Sequence, residues 1–348
     1  MGAFTSPSVR QYGPACFLPN AHAEAIGMEG ALDLVALCDP DPEGLERAGA
    51  LHSVKHLYPN TDALMASGAP DLIGLATRTI GRADIILKCI ASGTRALHVE
   101  KPLCNSHEEL SRLKAALLRE DVFMTIGALR RHLRVYQHAL EQALSGQYGD
   151  LLAAHGEFGA RTLYWSHPHT VDLLLFAAQG AGVEAVQARL GDVERSGAII
   201  RNDPVVLDAS VWFEGGFSGH ITRMPGTDWR LVCETAQIAV VANGASIWRS
   251  GQAKADVGED PYHEPERFDA PTPEHPEGTL APMRQLVACL RGDTRAIAAN
   301  AQIKRDIITG QNILFAMVQS HLEGGRPVAL DEVDPAMVVE GRTGGMPA

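Results

Sequence analysis

Ala96-Leu97-His98-Val99-Glu100-Lys101-Pro102-Leu103-Cys104-Asn105 sets a lysine on a turn directly after a short apolar run. An amine held there can exchange a proton with a substrate hydroxyl or stabilise an alkoxide. A second group of the same kind is His169, in Ser166-His167-Pro168-His169-Thr170-Val171-Asp172, where serine and proline mark the start of an apolar helix. Each has an ordinary reading as well: a solvated lysine at a strand end, and a core histidine satisfied by hydrogen bonds.

The elements around Lys101 follow from residue type. Pro102 donates no backbone hydrogen bond and keeps Lys101 out of helical conformation, so the strand stops at Glu100-Lys101. Ser106-x-x-Glu109 is a capping box ahead of the amphipathic run Leu110 to Leu118. Upstream, Leu32 to Cys38 reads as a strand ending at Asp39, and Asp71 to Ala76 as another ending in Thr77-Arg78-Thr79, with a helix over Ala83 to Ala91. Val122 to Ile126 is the last strand of this strand-helix alternation, which predicts a doubly wound α/β domain over 1–126. Ligands of such sheets sit at the carboxyl ends of the strands. Asp39 is then placed either to accept hydrogen bonds from an adenosine ribose, favouring NAD over NADP, or to make the turn Asp39-Pro40-Asp41-Pro42.

After Gly127 the pattern changes. A helix over Leu133 to Leu144 is followed by strands at Leu151 to Phe158, Val183 to Leu190, Val205 to Phe213, Phe217 to Arg223, Arg230 to Cys233 and Ile238 to Val241. Gly-rich turns between them predict an α+β domain over 127–348 with a large, mainly antiparallel open sheet. One face packs on the His169 helix and the other is available for a second subunit. Ala253 to Gly278 reads as a long loop, with solvated His263 and His275. Ala281 to Leu290 and Ala299 to His321 read as helices, and the tail from Asp331 as loose.

With 348 residues the chain has room for two cores, and its net charge of -12 without a basic block argues against nucleic acid. No apolar run reaches membrane length and no signal peptide opens the chain, which predicts a cytoplasmic protein. The six cysteines form no CxxC pair, and of fourteen histidines only His167-x-His169 is tightly clustered, so neither a disulfide framework nor a metal is expected.

Val99-Glu100-Lys101-Pro102-Leu103 after a strand resembles the signature of the Gfo/Idh/MocA oxidoreductases, the glucose-fructose oxidoreductase and inositol dehydrogenase family, and the likeness runs from about Leu32 to Leu330. It implies that Lys101 lies between nicotinamide and a small polar substrate, that Glu100 with the Thr77-Arg78 loop borders the cofactor, and that Arg130 in Gly127-Ala128-Leu129-Arg130-Arg131-His132 enters the substrate domain. His169-x-x-Asp172 resembles the family's G-x-H-x-x-D, which implies that His169 works beside Lys101 in one cleft. Where many members carry an aspartate, this chain has Trp165, so that residue faces substrate without relaying a proton. Arg78 and Arg82 replace a small residue and a histidine, and either meet a phosphate or acidic substrate or stay solvated. The late helix of the family packs back on the first domain, and a homo-oligomer is expected through the open face of the second sheet.

One feature departs from that pattern: no complete G-x-G-x-x-G follows an initial strand. Either the cofactor loop is eroded and NAD binding weakened, or Met1-Gly2-Ala3 is the remnant of such a loop, with Gly2 at the cofactor and Ser8 to Pro14 leading into the first helix. The expected activity is hydride transfer between NAD and a carbinol carbon of a sugar, cyclitol or related polyol. Alternatives are a sugar-binding regulator without redox turnover and an NAD-assisted lyase or glycosidase.

Overall fold

The computed structural model describes residues 2–5, 10–11, 15–253 and 264–341. Met1, most of the Ser8 to Pro14 loop, His263 and the end of the tail lie outside the described residues. The chain divides into two compact units, the first of residues 1–104, 109–129 and 275–307, the second of 105–108, 130–274 and 308–348. Residues 275–307, which the sequence groups with the second domain, therefore fold with the first.

From the amino end, α1 (His22–Met28), β1 (Ala36–Cys38), α2 (Pro42–His52), β2 (His56–Tyr58), α3 (Thr61–Ala66), β3 (Leu72–Leu75), α4 (Arg82–Ala91), β4 (Ala96–Val99), α5 (His107–Leu117) and β5 (Phe123–Ile126) alternate. Every ladder among these strands is parallel: β1 pairs with β2, and β3-β4-β5 form a separate sheet. The sequence expects a strand from Leu32, but it begins only at Ala36. Among the described residues its one ladder is with the three-residue β2, so pairing ends with that neighbour, and Val35 is 55% exposed.

The central strand β4 is buried at all four positions, as a parallel strand covered on both faces must be. His98 is tolerated there because its Nδ1 shares a 2.9 Å hydrogen bond with Thr125 Oγ1 on β5. The helix Leu280–Leu290 packs on β4 and β5, with Leu286 and Cys289 clustered against Ala96 and Phe123. No strand lies beyond β5 among the described residues. Instead Asn300, on the long helix Thr294–Leu322, accepts from the Met124 N–H at 3.1 Å and donates to the Met124 carbonyl at 2.9 Å. Lys304 on the same helix donates to the carbonyls of Arg119 and Val122. A buried amide thus satisfies an edge that would otherwise invite another strand.

In the second unit α6 (Arg134–Ala143), β6 (Leu151–Glu157), α7 (Leu163–Ala178), β7 (Val183–Leu190), β8 (Arg195–Ser196), β9 (Ile199–Ile200), β10 (Val206–Phe213), β11 (Ser218–Thr222), β12 (Asp228–Cys233), β13 (Ala236–Val241), β14 (Ser246–Gly251) and β15 (Glu266–Phe268) follow one another. Eight of these strands make one sheet in the order β15-β14-β13-β12-β6-β11-β10-β7, antiparallel except where β6 meets β11. The sequence reads past β14 and β15. The first lacks a clean alternation, with Arg249 and Ser250 adjacent and a glycine at its end, and the second is three residues inside a Pro-rich stretch expected to be loop. The tail from Asp331 is likewise not loose up to residue 341: β16 (Val338–Val339) pairs in parallel with β9, and Asn105 donates to the Val339 carbonyl at 2.8 Å.

Candidate active site

Lys101 sits at the carboxyl end of β4, half-buried, its peptide bond to Pro102 cis. The residues on either side of it are fixed by one buried cation. Arg82, 2% exposed, donates through Nη1 to the Glu100 carbonyl at 2.6 Å and to the Pro102 carbonyl, and through Nη2 to the Thr77 carbonyl. Reading Arg82 as a phosphate or acidic-substrate ligand is therefore overturned, since its guanidinium is occupied by backbone. Burial lowers its pKa to about 10, with Glu100 and Cys104 acting the other way, so it stays charged at neutral pH.

The Glu100 side chain turns inward. Its Oε1 accepts from His22 Nε2 at 3.3 Å, and the His22 and His98 rings meet edge-on at 4.7 Å. Gly127 allows the carboxylate its place, because a Cβ there would come within 2.7 Å of Glu100 Oε2. Burial raises the carboxyl's pKa, but the hydrogen bond and charge of His22, with Lys101 and His98 adding to it, outweigh burial and hold it at about 2. Sequence reasoning does not single out His22. The signal was a lone histidine among the alanines of Ala21–Ala25.

The other candidates of the first unit lie on the loops after β1 and β3 and on the amino-terminal segment. Thr77 and Arg78 are exposed on the loop after β3. Asp39 is exposed at the end of β1, and its Oδ1 accepts from the Asp41 N–H at 2.9 Å. The turn reading of Asp39 is thus realised, and Pro42 opens α2 as expected. Gly2 packs beside Ala76 and accepts from the Ala23 N–H at 2.9 Å, while Thr5 Oγ1 accepts from the Ala21 N–H at 3.0 Å. Residues 2–5 therefore tie down the start of α1.

In the second unit His169 is half-buried on α7. That helix starts at Leu163, not at Ser166, leaving Pro168 inside it. The cause is Asp203, whose carboxylate accepts the Tyr164 N–H at 2.7 Å and the Trp165 N–H at 3.1 Å. It caps the helix from a distant loop, a role invisible in local sequence. Close seating of α7 on the sheet needs two glycines: a Cβ on Gly156 of β6 would overlap Thr170 Cγ2, and one on Gly219 of β11 would lie 2.8 Å from Leu174 Cδ1. His167 is buried, shares a 3.2 Å hydrogen bond with Thr170 Oγ1, and has its pKa lowered by burial to about 4.

Asp172, expected to orient its helix or a neighbouring loop, is engaged by a buried cation. Its Oδ2 accepts from Arg131 Nε at 3.0 Å, and Arg131 Nη2 donates to its backbone carbonyl at 3.0 Å. Arg130 donates through Nη2 to Asn243 Oδ1 at 2.6 Å and lies 4.8 Å over the Phe158 ring. Trp165 is 45% exposed. Lys101, Glu100, Thr77, Arg78, Asp39 and Gly2 thus belong to the first unit, and Arg130, Trp165 and His169 to the second.

These groups fit a dinucleotide in part. An exposed carboxylate at β1 suits a ribose, and the fixed edge of Thr77 and Lys101 suits the nicotinamide end. A complete glycine-rich phosphate loop is not among the described residues.

The parallel first unit is a Rossmann-type α/β fold, and the second unit carries a mainly antiparallel sheet. Residues 15–128 match the GFO_IDH_MocA family, described as an oxidoreductase family with an NAD-binding Rossmann fold. Over those residues the chain is similar to the Gfo/Idh/MocA oxidoreductases, whose Rossmann fold binds NAD. No curated protein matches it by sequence.

Similar solved structures include three with this fold. An inositol dehydrogenase homologue from Azotobacter vinelandii, complexed with NADH and myo-inositol, is 18% identical at TM-score 0.67, over 85% of this chain and 90% of that one. An aldose-aldose oxidoreductase from Caulobacter crescentus, complexed with glycerol, is 15% identical at TM-score 0.68, over 85% and 91%. An oxidoreductase from Agrobacterium radiobacter, complexed with NAD+, L-tartaric acid and magnesium, is 16% identical at TM-score 0.67, over 88% and 94%.

Proposed function

We propose that the protein is an NAD-dependent dehydrogenase acting on a carbinol carbon of a sugar, cyclitol or related polyol, with Lys101 and His169 as its acid–base pair. The observation that carries this reading is the fixed Lys101 turn at the carboxyl edge of β4, in a unit matching an NAD-binding family. NAD, when bound, supplies the hydride acceptor. The chain's own residues then have to take the hydroxyl proton and stabilise the alkoxide as it forms. A lysine does this near neutral pH when burial or a neighbouring positive charge lowers its pKa. Arg130 and Trp165 are assigned to the substrate, and Gly2, Asp39, Thr77 and Arg78 to the cofactor side, with Glu100, turned into the core, supporting the turn beside it.

The printed ligands of the solved structures support a polyhydroxylated substrate. The same reading puts the enzyme in the cytoplasm, in line with six cysteines outside any disulfide, as a homo-oligomer joined through the open face of the eight-stranded sheet. No helix of the described residues is long and apolar enough to cross a membrane.

The test is net NADH formation from NAD+ by the purified chain over a panel of polyols, cyclitols and aldoses. Release of NADH with one of them supports the dehydrogenase. Tight NAD binding with no net reduction, but conversion of a glycoside, would move the assignment to a lyase or glycosidase. The lack of a complete glycine fingerprint among the described residues favours a non-redox sugar-binding protein, and failure to bind NAD at all would select it.

A further inference from the structure

We propose that Arg82 is the positioning residue for Lys101. This rests on the reading that Lys101 is the acid–base group. Three observations carry it. First, the carbonyls of Glu100 and Pro102, the residues immediately before and after Lys101, are both held by the same nitrogen, Arg82 Nη1. The lysine backbone is therefore clamped on both sides by one group. Second, Nη2 holds the Thr77 carbonyl, so the guanidinium joins the loop after β3 to the turn after β4. Parallel strands share no hairpin, and nothing in their ladder fixes the spacing of the loops at their ends. Third, Arg82 is 2% exposed at the start of α4, a helix that packs into the unit through the buried residues Ala83, Ile86, Cys89 and Ile90. The clamp is thus anchored to the core.

Only a planar fork of donors can do this. Lysine at 82 keeps the charge but offers a compact ammonium without parallel N–H groups, so it cannot span three carbonyls in the same geometry. Freed of the clamp, the Lys101 amine points elsewhere. A displacement near 1 Å in a reacting group costs roughly 10²-fold in rate.

The experiment reads Lys101 directly and needs no substrate. Wild type, Arg82→Lys and Arg82→Ala are pulse-labelled with acetic anhydride across a pH series, and acetylation at each lysine is quantified by peptide mass spectrometry. Lys55 and Lys114, exposed elsewhere in the chain, are the internal controls. The expected result is a Lys101 titration midpoint shifted by roughly half a pH unit or more in both variants, with the controls unchanged. Methylguanidinium added to Arg82→Ala should return the Lys101 profile toward wild type. Unchanged Lys101 labelling in a folded Arg82→Lys overturns the proposal, as does an equal change at all lysines. On a substrate found in the NADH screen, kcat should fall about 10²-fold in Arg82→Lys with the NAD Kd within about twofold. Full turnover by Lys101→Ala would remove the proposed function, whereas unchanged labelling removes only the role of Arg82, so the two failures are distinguishable.

Discussion

The carboxylate of Glu100 accepts a hydrogen bond from His22 Nε2 at 3.3 Å, with both side chains almost wholly inside the first unit. Glu100 therefore contributes its backbone to the Arg82 clamp and its side chain to the core. Because its folded pKa, about 2, lies below the ordinary carboxylate value of 4.5, its stabilisation is fully present above that ordinary value. It is lost as the pH falls toward 2. The contribution is at most roughly 3 kcal/mol. Thermal melts of wild type should show Tm dropping between about pH 4.5 and 2, and Glu100→Gln should flatten that part of the profile. Parallel profiles in the two proteins would show that the pair has no such role.

The ion pair of Arg131 and Asp172 is buried on both sides, at 5% and 8% side-chain exposure. Removing one partner leaves a charge without compensation, which costs about 3–5 kcal/mol. Asp172→Ala should thus lower the unfolding free energy by that order in urea titrations. Because Asp172 is an orienting group, Asp172→Asn should be less destabilised and keep most of its turnover. Loss of kcat in Asp172→Asn at unchanged stability would instead make it a participant in the chemistry.

At the edge of β5 the Asn300 amide replaces a neighbouring strand by bonding both backbone groups of Met124. Asn300→Ala leaves a buried N–H and a buried carbonyl unpaired, at about 1–3 kcal/mol each. The Met124 amide should then exchange with deuterium faster than that of Leu97 on the central strand. Asn300→Asp keeps the acceptor but loses the donor, so it should protect the amide only in part.

Local patterns made much of this fold legible. β7 is readable to the residue, because its apolar and polar positions alternate through most of the ladder it makes with β10. β4 and its turn were readable because burial on both faces demands an apolar run and Pro102 ends it. What escaped were bonds made across sequence distance. Asp203 moves the start of α7 by three residues from a separate loop, and Asn300 edits the edge of a sheet 176 positions away. Arg82 escaped for another reason. A charged residue in a loop signals a ligand or solvent, and only burial shows that its partners are main-chain carbonyls. Of the candidate site, Lys101 and His169 stand out by residue type, while Arg82, which holds the backbone around Lys101, does not.

Asp39 offers a test of cofactor choice. It is exposed at the end of β1 and uses Oδ1 for the Asp41 N–H, so the turn role and a ribose contact are compatible. A carboxylate there opposes a 2′-phosphate by like charge. NADH should bind more tightly than NADPH in fluorescence titrations, and Asp39→Ser should narrow that preference by roughly tenfold, near 1.4 kcal/mol. Tighter NADPH binding by wild type would reverse the assignment.

Lys101 and His169 are the pair on which the proposed chemistry depends. If Lys101 acts mainly in the transition state, Lys101→Ala lowers kcat far more than it weakens ground-state binding. The expected loss is about 10²–10⁴-fold in kcat with the NAD Kd within about twofold. Folding should be nearly intact, because the clamp on this turn runs through the carbonyls of Glu100 and Pro102, which the substitution retains. His169→Ala should lose roughly 10²-fold or more if that imidazole carries the proton. It should also change the pH dependence of kcat/KM, which reports the groups that exchange protons in the free enzyme. The double variant separates a shared step from two independent ones. Members of one acid–base unit lose little more together than singly, whereas independent contributions multiply. Full activity of Lys101→Ala on a confirmed substrate would refute the catalytic assignment and return the chain to the non-redox reading.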